Sequence, residues 1–139
     1  MTYLLDTNVL SEVSKGEQGD ANVRTWYESM EPDRLCISVL VVGEIRASVE
    51  KLRLRQPERA AAFDRQLVLV IDLFADRIIG IDRRIAEQWG RINPRQRRPA
   101  IDGLLAATAL VHGLTVVTRN ARDFASTGAE VLNPFEPLP

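Results

Sequence analysis

Two acidic residues follow apolar runs at places where carboxylates often act on a ligand. Asp6 comes directly after the apolar run 3–5, and Asp123 comes shortly after the apolar run 115–118. Ligands of an open α/β sheet bind beyond the carboxyl ends of its strands, so polar residues just after strands are site candidates. Taken alone, Asp6 is equally compatible with capping a helix.

Two further acids, Glu44 and Asp102, lie within helical patterns. At roughly 100° per residue, Glu44 lies about 60° round its helix from Val41, at the edge of an apolar stripe. A solvated boundary glutamate is the alternative there. Asp102 precedes a run of small residues, and we expect it to cap a helix that runs to His112 and ends at Gly113. Such a cap contributes about 1 kcal/mol and leaves the second carboxylate oxygen free for a metal.

Four carboxylates in one pocket repel each other unless a cation neutralises them. The chain has one cysteine and one histidine, Cys36 and His112, so a zinc cage is excluded. We expect Cys36 to be a buried strand residue and His112 to lie at a helix C-terminus. Oxygen ligands alone favour Mg²⁺ or Mn²⁺, and such a site hydrolyses phosphate esters. Gly-rich phosphate loops, H-E-x-x-H and G-x-S-x-G are all missing from the sequence.

The elements that must position these carboxylates are predicted by the alternation of short apolar runs with helical patterns. That alternation is typical of an α/β domain with a mainly parallel sheet. We expect one domain over residues 1–139, because this length suits a single core. The predicted strands, the last of them weaker, cover residues 3–5, 35–38, 78–81, 115–118 and 130–133.

Helical periodicity connects these strands. Ser38 is placed to cap a helix, the stretch 67–71 is compatible with either a helix or a strand, and Asn93-Pro94 ends a further helix. The residues expected on apolar helix faces are Val23, Trp26, Tyr27 and Met30; Val41, Ile45, Val49 and Leu52; Phe63, Leu67, Val70, Ile71 and Phe74; and Ile85, Trp89 and Ile92.

Hydropathy indicates where in the cell the protein is expected, whereas net charge does not identify its partners. The net charge is −1, although 16 of the 18 basic residues are arginine, which favours forked contacts to phosphate. Genomic base composition explains the same bias without any ligand. The longest apolar runs, 39–42 and 67–71, are far shorter than a membrane span. The N-terminus also lacks the pattern of a secretory signal, so we expect a cytoplasmic protein.

The motifs taken together resemble the PIN-domain ribonucleases, in particular the VapC and FitB type of toxin from bacterial toxin–antitoxin pairs. The resemblance extends over essentially the whole chain and implies a three-layer α/β/α domain with a sheet of four to five strands. It is carried, in this order, by Leu4-Leu5-Asp6-Thr7-Asn8, Glu44, Ile101-Asp102-Gly103, Thr118-Arg119-Asn120, Asp123-Phe124 and Asn133-Pro134-Phe135.

The same resemblance implies catalytic and metal-binding roles for acids of this chain. Members of the family bind Mg²⁺ or Mn²⁺ through residues that match Asp6, Glu44 and Asp102, and place a fourth acid at the position of either Asn120 or Asp123. Because Asn120 is neutral, Asp123 is the expected acid and Asn120 an orienting partner. The hydroxyls of Thr7 and Thr118 are expected to support the site, with the Asn8 amide beside them. A homodimer and a small antitoxin, whose C-terminal segment occupies the groove, are implied as well.

RNA would need local positive charge to approach such an acidic pocket. Arginines lie on both sides of the predicted site, and for those that precede Asp102 a solvated basic turn is an equal alternative. The candidates are Arg91, Arg95, Arg97, Arg98, Arg119 and Arg122.

Two other functions compete with an Mg²⁺-dependent endoribonuclease. A haloacid-dehalogenase-like phosphohydrolase, or a phosphoacceptor domain, also uses an Asp after its first strand, but it needs a second acid close by, where this chain has Thr7 and Asn8. A non-catalytic PIN-like module that binds RNA or a protein partner is the other alternative. The four retained acids argue against it.

Overall fold

The computed structural model describes residues 1–137 and has a five-stranded, fully parallel sheet at its centre. The strand order is β3-β2-β1-β4-β5. The strands are β1 (Tyr3–Leu5), β2 (Leu35–Ser38), β3 (Ile78–Ile79), β4 (Thr115–Val117) and β5 (Glu130–Leu132).

Six α-helices connect and cover the strands. They form two packed groups, with α3 against α4 and α1 against α2 in one, and α5 against α6 in the other. Their bounds are α1 (Thr7–Ser14), α2 (Ala21–Glu28), α3 (Val39–Arg53), α4 (Pro57–Leu73), α5 (Arg83–Arg91) and α6 (Ala100–His112). The predicted α/β/α architecture is confirmed.

The first strand lies in the middle of the sheet because it pairs on both edges. Leu4 is in register with Cys36 of β2 on one side and with Val116 of β4 on the other. All three side chains are fully buried, which explains why these strands consist of apolar residues with no polar alternation. The chain leaves β1 toward β2 and returns later on the opposite edge as β4. The gap beyond β1 and β4 is therefore the topological switch point, where α/β sheets bind ligands.

Most predicted elements are confirmed, with shorter ends. The third, fourth and fifth strands end one or two residues earlier than expected, and the ambiguous stretch 67–71 is helical, within α4. The Ser38 hydroxyl accepts the Leu40 N–H at 3.0 Å and caps α3 as predicted. Gly113 ends α6 with φ 67°, the left-handed conformation that favours glycine. No helix within residues 1–137 has the length and apolar character to cross a membrane.

Three local predictions were wrong or incomplete. The helix α1 was not predicted at all, and it begins directly at Thr7 because the Asp6 carboxylate caps it. Asp102 is not a cap; it is the third residue of α6. Pro99 precedes that helix in an extended conformation, and its carbonyl accepts the Gly103 N–H, so the helix begins at Ala100. Trp89 was expected on a buried face, but 44% of its surface is exposed.

Candidate metal and phosphodiester site

The site is built around Asp6 and Thr118, which leave the ends of the neighbouring strands β1 and β4. Thr118 is fully buried and Asp6 is only 6% exposed. The Thr118 hydroxyl donates to Asp6 Oδ2 at 2.8 Å, and the Thr7 N–H donates to Asp6 Oδ1 at 2.7 Å. Both carboxylate oxygens are thus hydrogen-bonded, which fixes the orientation of the side chain.

Asn8 joins the two strand ends from the first turn of α1. Its amide nitrogen lies 3.4 Å from Asp6 Oδ2 and 3.3 Å from Thr118 Oγ1, and its carbonyl accepts the Arg119 N–H at 3.1 Å. The Asn120 N–H donates to the Thr118 hydroxyl oxygen at 3.0 Å. The segment after β4 is therefore held against the segment after β1 by polar contacts at the floor of the site.

Glu44 reaches the same region from the second turn of α3. The Thr7 hydroxyl donates to Glu44 Oε1 at 2.6 Å, so two residues that are 37 positions apart are in direct contact. Glu44 is half-buried, as expected for a position at the edge of the apolar stripe formed by Val41 and Ile45. The sequence predicted this location, whereas the contact with Thr7 depends on how α1 and α3 pack.

The other three predicted acids all affect the pKa of Asp102. Partial burial, reinforced by the negative charges of Asp6, Asp123 and Glu44, raises the pKa of Asp102 from 3.8 to about 6. The Arg98 guanidinium acts in the opposite direction. Asp6, Glu44 and Asp123 therefore all lie within electrostatic reach of Asp102.

Asp123 and Asn120, the alternatives for the fourth position, interact with the other site residues in different ways. Asp123 is exposed on the 3₁₀ turn Ala121–Phe124, and its charge acts on Asp102. Asn120 is exposed and contributes its backbone N–H to Thr118. The structure thus brings the Asp123 charge and the Asn120 backbone to one site.

The chemistry of these donors fits a hard divalent cation. Mg²⁺ and Mn²⁺ prefer carboxylate oxygens, and a cation would neutralise the carboxylate charges that, together with burial, raise the pKa of Asp102. Within residues 1–137, no three acid, His or Cys side chains are arranged so that they could hold a metal as they stand. A bound cation would therefore require these carboxylates to lie closer together than they do here.

The predicted arginines lie at different places around this site. Arg98 is half-buried, and its guanidinium donates to Ser126 Oγ at 2.8 Å. Arg119 is exposed and stacks over the Phe135 ring, 4.4 Å from its centre. Arg91 lines a separate depression with Leu110 and Val111. Arg95, Arg97 and Arg122 are exposed.

Cys36 and His112 lie at their predicted positions, in a buried strand and at a helix C-terminus. Cys36 is fully buried in β2, and burial raises the pKa of its thiol to about 11. It is therefore protonated and unreactive at neutral pH. His112 is the exposed last residue of α6.

Sequence reasoning missed two features near Asp102. Trp89 lies against Gly103, where a Cβ atom would come within 2.9 Å of the indole. Gln96 and Ser126 are hydrogen-bonded to each other and to Arg98. The glycine directly after Asp102 was the available signal for close packing at this position, but nothing local indicated which side chain would cover it.

Comparison with known proteins identifies the family of this chain. The model of the PIN domain matches residues 3–130. The chain belongs to the PIN-domain family. This match favours the PIN interpretation over the dehalogenase-like one, which shares only the Asp after the first strand.

Relatives of this PIN domain match it along nearly their whole length. Toxin FitB of Neisseria gonorrhoeae is 33% identical, over 95% of this chain and 97% of the toxin. The tRNA(fMet)-specific endonuclease VapC of Shigella flexneri is 31% identical, over 92% of this chain and 93% of the endonuclease. The crystal structure of FitAcB from Neisseria gonorrhoeae superposes with a TM-score of 0.84 at 32% identity, and covers 97% and 99% of the two chains.

Proposed function

We propose that this PIN domain is an endoribonuclease that depends on Mg²⁺ or Mn²⁺ and acts as the toxin of a toxin–antitoxin pair. The observation that carries the proposal is the convergence of three other carboxylates, those of Asp6, Glu44 and Asp123, on Asp102 at the switch point of the sheet. Asp6, Glu44, Asp102 and Asp123 are the proposed catalytic and metal-binding residues.

The metal, when bound, supplies the Lewis acidity and positive charge that activate water and stabilise the phosphodiester as its bond breaks. The residues of this chain supply rigidity and charge. Thr118 and the Thr7 N–H hold Asp6 at a set orientation, so its carboxylate is prepared as a ligand before the metal arrives. The Thr7 hydroxyl fixes Glu44 in the same way.

Substrate binding falls to the cations around the acids. The carboxylates repel an RNA backbone, so phosphates need arginine contacts beside the site. Arg98 is the best placed, because its charge already acts on Asp102. Arg119 and Arg122 flank Asp123 along the chain, and Arg95 and Arg97 extend the positive rim from the turn before α6. Arg91 lies with the opposite end of α6 and is the weakest candidate.

The biological role rests on the likeness to proteins named toxin FitB and endonuclease VapC. From that likeness we propose a small antitoxin partner, a homodimer and a cytoplasmic location. Which RNA is cut depends on contacts beyond the carboxylates, and transfer, ribosomal and messenger RNA are all to be assayed.

The decisive experiment measures cleavage of RNA by the purified protein with Mg²⁺ and with EDTA. The wild-type protein is expected to cut only with Mg²⁺, and the Asp6→Asn and Asp102→Asn variants are expected to be inactive. Asp82→Asn is the matched control. Asp82 also follows a strand but caps α5 through the Ile85 N–H, and asparagine caps equally well.

Each alternative has its own outcome. Cleavage by Asp102→Asn at the wild-type rate contradicts the carboxylate assignment. Binding of RNA with no cleavage under any condition favours the non-catalytic module. For the toxin role, expression should arrest growth, and co-expression of a short neighbouring reading frame should relieve the arrest. A protein that does neither is not a toxin of this class.

A further inference from the structure

An exposed aromatic side chain lies against the residue that follows Asp102. Trp89 of α5 is 44% exposed, while the other tryptophan, Trp26, is 1% exposed. The indole rests on Gly103, the residue after Asp102, where a Cβ atom would come within 2.9 Å of its Cδ1 and Nε1 atoms. The glycine allows the ring to approach the α6 backbone at the edge of the site. One part of the ring is thereby packed while the remainder is open to solvent.

The indole forms one wall of a depression of about 390 Å³. Two side-chain amides and two guanidinium groups line it as well, those of Asn93, Gln96, Arg97 and Arg98, together with Gly90, Ile92, Pro94 and Gly103. That volume lies within the range of small-ligand sites, and the lining combines an apolar surface with a few polar groups. Amides supply both donors and acceptors for a base edge, and arginine supplies contacts to phosphate.

Arg98 links this depression to the carboxylates. Its guanidinium is anchored by Ser126 and Gln96, while its positive charge acts on Asp102. Arg98 is therefore close to the indole and also within electrostatic reach of Asp102. Arg97, which is exposed, adds a second cation at the outer edge.

We propose that this depression binds one unpaired base of the substrate RNA, stacked on Trp89, next to the phosphodiester that is cut. The inference rests on the proposed ribonuclease function and adds to it the surface that holds a base next to the cut. Bases stack on aromatic side chains when they are splayed out of a duplex, and paired bases do not reach such a wall.

Intrinsic fluorescence tests the base site separately from cleavage. A stacked base quenches indole emission, and Trp26, being buried, is an internal reference. In EDTA, single-stranded ten-nucleotide RNAs of adenine and of uracil should quench Trp89, and a blunt RNA duplex should not. Trp89→Leu, which retains apolar cover over Gly103, should abolish the quench and weaken binding roughly tenfold or more. Trp89→Phe retains a stacking face and should keep most of the affinity.

Kinetics with Mg²⁺ provide the second measurement. Trp89→Leu should raise KM for single-stranded RNA with little change in kcat, and Trp89→Phe should restore KM toward the wild-type value. The matched control is Leu69→Ala. Leu69 is 69% exposed on α4, outside the depression, and its removal should change neither constant.

The outcomes separate the base site from the proposed function. Normal cleavage by Trp89→Leu with an unchanged KM overturns the base site and leaves the ribonuclease intact. Equal quenching by duplex RNA also overturns it. Quenching by single-stranded RNA without any cleavage supports the base site and defeats the catalytic function. Quenching only by the partner from the neighbouring reading frame, and not by RNA, assigns the depression to protein docking and refutes the proposal.

Discussion

Thr118 donates its hydroxyl hydrogen to Asp6 Oδ2 at 2.8 Å, although the two residues are 112 positions apart in the chain. Each is the first residue beyond a strand, and β1 and β4 are direct neighbours in the sheet. The pairing register therefore determines the hydrogen bond, and with it the orientation of the central carboxylate. Four predictions test this site and its surroundings.

Replacement of Thr118 by valine should damage the site while preserving its shape. The variant removes the donor to Asp6 and the acceptor for the Asn120 N–H, both at a fully buried position. Buried polar groups left without partners cost about 1–3 kcal/mol, so the free energy of unfolding should fall by that amount in denaturant titrations. RNA cleavage should fall about 10- to 100-fold, because Asp6 loses its fixed orientation. Thr118→Ser retains the hydroxyl and should behave almost as the wild type; equal losses in both variants would contradict the role of the hydrogen bond.

Asp102→Asn should stabilise the metal-free protein while it abolishes cleavage. Burial and three neighbouring carboxylates disfavour the Asp102 anion, and its pKa in the folded state, about 6, is above the ordinary value of 3.8. The folded state therefore binds the proton more tightly, and the cost of the charged group is absent below about pH 4 and complete above about pH 6. In EDTA the Tm of the variant should exceed that of the wild type at pH 7.5, and the two should converge near pH 4. A gain that is independent of pH would show that charge repulsion is not its cause.

The fourth acid can be identified from the dependence of Tm on Mg²⁺. A bound ion stabilises the folded state according to its affinity, so loss of a ligand reduces the rise in Tm at a given concentration. Asp123→Asn should reduce that rise, because its charge acts on the cluster. Asn120→Ala should leave the rise nearly unchanged, because Asn120 contributes its backbone N–H. The opposite ranking of the two variants would make Asn120 the fourth site residue.

Because Trp89 contacts Gly103, we expect Gly103→Ala to destabilise the wild-type protein but to stabilise a variant that lacks the indole. In the wild type, Gly103→Ala places a methyl group within 2.9 Å of the indole and should lower the free energy of unfolding by about 1–3 kcal/mol. In a Trp89→Ala background the clash is absent, and the same change should stabilise the helix by about 1 kcal/mol. Gly43→Ala in α3, where a Cβ atom meets nothing within 4 Å, is the control and should be stabilising in both backgrounds. Additive effects in this cycle would rule out the contact.

The local features of the fold were readable from the residues themselves. Apolar runs such as Tyr3–Leu5 indicate buried parallel strands, since both faces of such a strand meet helices. Ser38 before a periodic apolar stripe indicates a helix start, and Gly113 indicates a helix end. These predictions were confirmed because they depend only on periodicity and backbone preference within a few residues.

Helix starts near Asp6 and Asp102 were harder to predict because side chains there can serve two purposes. The Asp6 carboxylate caps α1 and also accepts the Thr118 hydroxyl, so the helix after it was missed. For α6 the extended conformation of Pro99, and not an acidic cap, determines where the helix begins. Capping preference ranks residue types. It does not decide whether a helix begins after Pro99 or after Asp102, when the two starts lie within four residues.

The sequence by itself determined which donors are available: four carboxylates on predictable elements, with one histidine and one cysteine in the whole chain. Only the tertiary structure decided how those acids act on one another. The contact of Thr7 with Glu44, the effect of three acids on Asp102 and the exposed face of Trp89 all join separate elements. Electrostatic and packing energies depend on distances between atoms, and distances between residues far apart in the chain are set only when the sheet has formed and its helices have packed.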